Sequence, residues 1–177
     1  MQFIICIYFL FLFFVQDNSI QSSSLMYWRE DLKLTWENFK GQAPKESQYE
    51  AMTASGIEYS YAASNKNGKL SFTFQVRSYF NPETSWVKES SRTDDLLLHE
   101  RGHFDISELH ARLLNKALNN TTFSSNYKEE INEIYQSIID QRAQMQEQYD
   151  RETDHSRNKD KQIEWTKRIE YELRELK

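Results

Sequence analysis

One cysteine, two prolines and four glycines among 177 residues exclude several kinds of protein before any motif is read. A chain this poor in cysteine has no disulfide framework and no cysteine zinc site; its single thiol, Cys6, lies in an apolar run near the amino terminus. Glycine and proline are too scarce for a collagen-like repeat or a long low-complexity segment. Basic charge is not in excess either: 22 Lys and Arg against 27 Asp and Glu give a net charge of −5. That balance offers neither a basic stripe for nucleic acid nor a polybasic patch for anionic lipid. Aromatic (14%) and charged (28%) residues are plentiful instead, as expected of a well-packed, helix-rich domain.

Phe3 to Val15 is an unbroken apolar run bounded by Gln16-Asp17-Asn18. Its thirteen residues are short for a membrane span and suit the core of a signal peptide. No Lys or Arg precedes the run, and no small-x-small cleavage site closes it before Gln21-Ser22-Ser23-Ser24. Two readings therefore stand for residues 1–20, a cleaved signal peptide or an N-terminal anchor. Both place the remaining chain outside the cytoplasm, secreted or in the periplasm or cell envelope, with membrane contact confined to that segment. Cys6 lacks the small residues of a lipoprotein box before it. What remains is about 155 to 160 residues, one domain over 26–177 that can bury a real core.

The pattern from Tyr27 onward predicts an α+β domain, with a small antiparallel sheet followed by three helices. Trp28 to Phe39 alternates aromatic and polar positions near its ends and is broken by Gly41-Gln42-Ala43-Pro44, a short strand and turn. Thr53 to Ala62 and Lys69 to Phe80 flank the turn-rich Ser64-Asn65-Lys66-Asn67-Gly68, and Leu70 to Val76 alternates at period two, which predicts a hairpin. Thr93 or Asp94 is the expected N-cap of a helix running to about Leu118, where Asn119-Asn120-Thr121-Thr122 stops it. A second helix, about Tyr127 to Tyr149, carries Ile131, Ile134, Tyr135, Ile138, Ile139 and Met145 at spacings of three and four. A third, about Lys159 to Leu176, presents Ile163, Ile169, Leu173 and Leu176. There is no internal repeat.

The first of these helices contains His99-Glu100-Arg101-Gly102-His103, the HExxH pattern of zinc-dependent hydrolases. Residues four apart share a helix face, so both imidazoles can address one ion. Glu100 then lies beside that ion, where it can take a proton from metal-bound water and pass it to a leaving group. Two imidazoles on the apolar side of a core helix need a partner, and a metal supplies one. Satisfied core histidines are the alternative.

The chain resembles a bacterial family of predicted secreted zinc-dependent proteases, a domain otherwise of unknown function. The similarity rests on Lys33-Leu34-Thr35-Trp36-Glu37-Asn38-Phe39-Lys40-Gly41, on Ser85-Trp86-Val87, and on Leu97-Leu98-His99-Glu100-Arg101-Gly102-His103-Phe104-Asp105-Ile106. It extends to Tyr149-Asp150-Arg151-Glu152-Thr153-Asp154-His155-Ser156, then Gln162 and Trp165. Ser156 departs from it, since a glycine is expected there. The resemblance implies a peptidase on an envelope-targeted, zincin-like domain that acts on a peptide or protein substrate.

A catalytic zinc takes three protein ligands and keeps a fourth position open, and the third ligand is not in the motif. His110 shares the motif's face but lies about 10 Å beyond His103 along the axis. Asp105 and Glu108 point to the opposite side and read as solvated or supporting groups. His155, in a polar turn between the second and third helices, is the expected third metal ligand with His99 and His103; an exposed turn histidine is the alternative. Tyr149 is a candidate donor to a developing oxyanion, or else a core tyrosine closing the helical stripe. The expected function is hydrolysis of peptide bonds with Zn2+ and Glu100. The competing reading is a non-catalytic envelope binding protein whose metal site is structural or whose helices bind a partner. A coordination position open to a groove favours the enzyme; a closed four-ligand site favours the structural role.

Overall fold

The computed structural model describes residues 25–67 and 69–177, so the apolar run assigned to a signal peptide or anchor lies outside the described residues. The architecture is α+β, with a small antiparallel sheet followed by three helices. Strands β3 (Ser55–Lys66) and β4 (Lys69–Phe80) form the long hairpin, in a register that sets Ser55 opposite Phe80 and Tyr61 opposite Phe74. Strand β1 (Met26–Tyr27) adds to the outer edge of β4, and β2 (Ala51–Met52) pairs separately with β5 (Trp86–Val87). Alternation along the hairpin sends Ile57, Tyr59 and Tyr61 to the same face as Phe72, Phe74 and Val76, and this face is covered by the helices.

Helix α1 (Asp94–Asn120) starts where the sequence predicts, with the Thr93 side chain accepting a hydrogen bond from Leu96 N and two aspartates in the first turn. Both features satisfy the positive, unpaired amides of a helix N-terminus. Helices α2 (Tyr127–Thr153) and α3 (Lys159–Glu175) fold back upon α1. One apolar cluster joins Ile106 and Leu109 to Met145, Tyr149, Trp165 and Ile169, and another joins Leu114 and Leu118 to Ile131, Ile138 and the hairpin face. The motif helix is thus enclosed by the sheet on one side and two helices on the other. No helix among the described residues is long and apolar enough to cross a membrane.

Two elements differ from the sequence reading. The stretch Trp28 to Phe39 is not a strand: β1 ends at Tyr27, and a 3-10 turn at Trp36–Asn38 follows. Its aromatic residues pack as a wrap, with Phe39 against Trp36 and Phe80, so their spacing reflects core contacts rather than a pleat. Helix α2 continues to Thr153, past the expected end at Tyr149. Beyond Tyr149 the inward positions are polar, so the hydrophobic periodicity stops before the helix does.

Candidate metal centre

The two motif histidines project from α1 toward the last turns of α2. His99 Nε2 and His103 Nε2 are 3.2 Å apart, and each faces Asp150 Oδ1, at 3.1 and 3.0 Å. These three residues form a group able to hold a metal ion. The edges of the triangle come close to the separation of about 3.3 Å between ligand atoms around a tetrahedral ion bonded at about 2.0–2.1 Å. Two imidazoles and one carboxylate are also a donor set that suits a first-row divalent cation.

The far side of each ring fixes its tautomer. Gln162 Nε2 donates to the Tyr149 hydroxyl (2.7 Å), which turns its Oε1 toward His99 Nδ1 (3.1 Å). Gln146 Nε2 donates to the main-chain oxygen of His103 (2.9 Å), and its Oε1 contacts His103 Nδ1. An amide oxygen only accepts, so each Nδ1 carries a hydrogen; each Nε2 donates to Asp150 while protonated and can offer its lone pair to an ion once that proton leaves. Outer hydrogen bonds of this kind orient metal-binding histidines.

Asp150 is held well below the usual carboxylate range: burial pushes it up, but hydrogen bonds from His103 and His99 and their charge outweigh that. For His103, burial works against the charged form, and the neighbouring Asp150 and Glu100 more than offset it, so its pKa is raised. The centre therefore carries an ionised carboxylate beside two imidazoles, an arrangement that favours a cation.

Glu100 is buried beside this group, and its Oε2 accepts a hydrogen bond from Thr53 Oγ1 at 2.6 Å. A cleft of about 920 Å³ opens over the cluster, lined by residues 48–55, which include strand β2, and by Gln146, Asp150 and His155.

The structure brings Asp150, not His155, to the motif histidines. His155 sits at the rim, its side chain 40% exposed, with Nδ1 3.5 Å from Asp150 Oδ1 and its ring against Tyr49. The turn that carries it is strained, because Asp154, His155 and Ser156 all have positive φ, at 47°, 50° and 74°. Glycine adopts such angles freely, which gives a physical reason to expect one at 156.

Tyr149 is fully buried, stacked on His99, and its hydroxyl donates to the His99 main-chain oxygen at 3.0 Å. That hydroxyl is engaged in holding the two helices together, so Tyr149 takes the core role rather than that of an oxyanion donor. His110 is buried away from the centre and faces the Ile106 carbonyl. Asp105 and Glu108 are not solvated: Asp105 accepts from Trp28 Nε1, and Glu108 accepts from Ser78 and Arg112. The side of α1 opposite the centre faces the sheet and the aromatic wrap rather than water.

Sequence reasoning missed Asp150, Gln146 and Thr53. Asp150 and Gln146 are four apart on α2, in the row that begins with Ile134 and Ile138, but as polar residues they add nothing to the hydrophobic signal of that row.

The family described as "Bacterial protein of unknown function (DUF922)" matches residues 30–156. The chain belongs to this family. The matched stretch includes the HExxH helix, Gln146, Asp150 and the turn with His155. No curated protein and no solved structure matches the chain.

Proposed function

We propose that this DUF922 protein is a zinc metallopeptidase that works outside the cytoplasm, with His99, His103 and Asp150 holding the ion and Glu100 as the general base. The observation that carries the reading is the double anchoring of the motif histidines, whose Nδ1 atoms are each taken by a glutamine oxygen while both Nε2 atoms meet one ionised carboxylate. Zinc held there would supply a Lewis acid for the scissile carbonyl and for the attacking water.

The protein's own residues provide the rest. Glu100 takes a proton from the water as its oxygen bonds to the peptide carbon, then delivers it to the departing amine as the C–N bond breaks. Thr53 restricts the carboxylate of Glu100 to one orientation. The segment 48–55, with strand β2 in it, gives a peptide a surface to lie along, and His155 with Tyr49 borders its path at the rim. Three protein ligands lining an open cleft favour this reading over a structural metal in a non-catalytic envelope protein, which calls for a closed four-ligand site. Export rests on the apolar run Phe3 to Val15.

The test combines metal analysis with digestion of a peptide library. The wild-type chain should carry about one zinc and cleave peptides. Glu100→Gln should keep the zinc and lose activity by about 10²-fold or more. Asp150→Ala should lose the zinc, and His155→Ala should retain it. Wild-type protein without zinc after metal-replete purification would overturn the proposal, and equal cleavage by Glu100→Gln would remove that residue from the mechanism.

A further inference from the structure

Arg142 lines the same cleft, on the same face of α2 as Gln146 and Asp150. The three residues run antiparallel to a matching stripe on α1: Asp150 meets His99 and His103, Gln146 meets His103, and Arg142 meets Ser107. A polar seam thus extends from the metal centre along the cleft to a guanidinium.

That guanidinium is only partly satisfied by the protein. Nη1 donates to the Ser55 main-chain oxygen and to Ser107 Oγ, both at 3.1 Å. Nε is buried and has no hydrogen-bond partner. No carboxylate among the described residues pairs with it, and burial works against its positive form. The other arginine of the cleft, Arg157, is matched by Asp154. A partly buried cation is stabilised by an anionic partner; with Nη1 engaged twice and Nε buried, the end left to meet one is Nη2, which makes no hydrogen bond to the described residues.

The guanidinium meets Ser107, four residues of α1 beyond His103 and eight beyond His99, which is about 6 to 12 Å along the axis and about two to four residues of extended peptide. The geometry points to a second subsite in which Arg142 binds a substrate carboxylate about two to four residues from the bond held at the metal centre. This rests on the reading of the cleft as a peptide site. The carboxylate is either the C-terminus of a short substrate or an Asp or Glu side chain within a longer one.

Binding, measured without turnover, separates this inference from the peptidase reading. The full chain carrying Glu100→Gln is titrated with labelled peptides that have Asp or Glu at the distal position, with their Asn or Gln counterparts, and with C-terminally amidated versions of each. Acidic peptides, those that offer a distal carboxylate either as a side chain or as the free C-terminus, should bind about tenfold more tightly than neutral ones that offer neither. Adding Arg142→Gln should bring the two within about twofold and leave the neutral affinity unchanged. Loss of the preference on amidation alone identifies a C-terminal carboxylate, and loss on the Asn or Gln exchange alone identifies a side chain. On the protein with Arg142 intact, free glutarate should compete with acidic peptides and not with neutral ones, a readout that does not depend on the variant folding. No acid preference with Arg142 present, an undiminished preference in Arg142→Gln, or indifference to glutarate would overturn the subsite. If the preference holds but wild-type protein cleaves nothing, the subsite stands and the peptidase reading falls.

Discussion

The hydroxyl of Tyr149 occupies the space that a side chain at Gly102 would need: a Cβ built there would lie 2.2 Å from it. The glycine inside HExxH is therefore what lets α2 approach α1 closely enough for Asp150, the next residue, to reach both histidines.

Alanine normally favours a helix interior over glycine by about 1 kcal/mol. At position 102 the sign should reverse. Tyr149 is fully buried and bonded at its hydroxyl to His99 and Gln162, so it has no room to retreat, and overpacking of this kind costs about 1–3 kcal/mol. Gly102→Ala should lower stability by about 2 kcal/mol and weaken metal binding with it. Chemical denaturation and a zinc titration check both, and an alanine variant more stable than wild type would contradict the packing argument.

The glutamines that anchor the histidines should matter without touching the ion. Gln146→Ala should weaken zinc affinity by about 10- to 100-fold, whereas Gln146→Glu, which still offers an acceptor to His103 Nδ1, should lose less. Competition against a chelator of known affinity measures the difference. Equal losses in the two variants would show that the acceptor at Nδ1 is not what counts.

Relief of backbone strain gives a stabilising change. Ser156 has φ of 74°, and a non-glycine residue in that region costs on the order of 1 kcal/mol. Ser156→Gly should raise stability by up to about 1 kcal/mol while leaving zinc stoichiometry unchanged. Thermal melts of the two proteins, each fully loaded with zinc, decide it.

Asp105 supplies a pH-dependent case. Burial raises its carboxyl above the usual value, only partly countered by the hydrogen bond from Trp28 and the charge of Arg101. Below the unfolded value of about 3.9 the group is neutral in both states and exacts no penalty. As pH rises through the raised folded value, the buried charge appears and stability is lost. Asp105→Asn keeps an acceptor for Trp28 Nε1, so it should melt a few degrees higher at neutral pH, with the gap closing toward pH of about 4. A gap of the same size at every pH would mean that ionisation is not its cause.

Much of the fold was legible in the chain because it is written in local patterns. Thr93 as cap, the period-two run at Leu70 to Val76 and the stripe from Ile131 to Met145 each follow from steric and solvation rules acting within a few residues. The same holds for His99, Glu100 and His103, whose spacing alone puts two imidazoles and a carboxylate on one turn of helix. The aromatic wrap at Trp28 to Phe39 was not legible, because its spacing is set by contacts with Phe80 and Asp105.

The third member of the centre was decided by tertiary structure. His155 has the more familiar ligand chemistry, and its turn lies next to the site. Asp150 instead reaches the histidines because α2 continues one turn further, and because Gly102 admits Tyr149 beside it. Gln146 and Arg142 come to the cleft with the same helix, 43 and 35 residues away in the chain from their partners His103 and Ser107, and Thr53 comes from the segment between β2 and β3, 47 residues from Glu100. A sequence declares the chemistry each residue carries and the face it takes on its own helix or strand. Which faces meet depends on the packing of whole elements, and no local pattern encodes that distance.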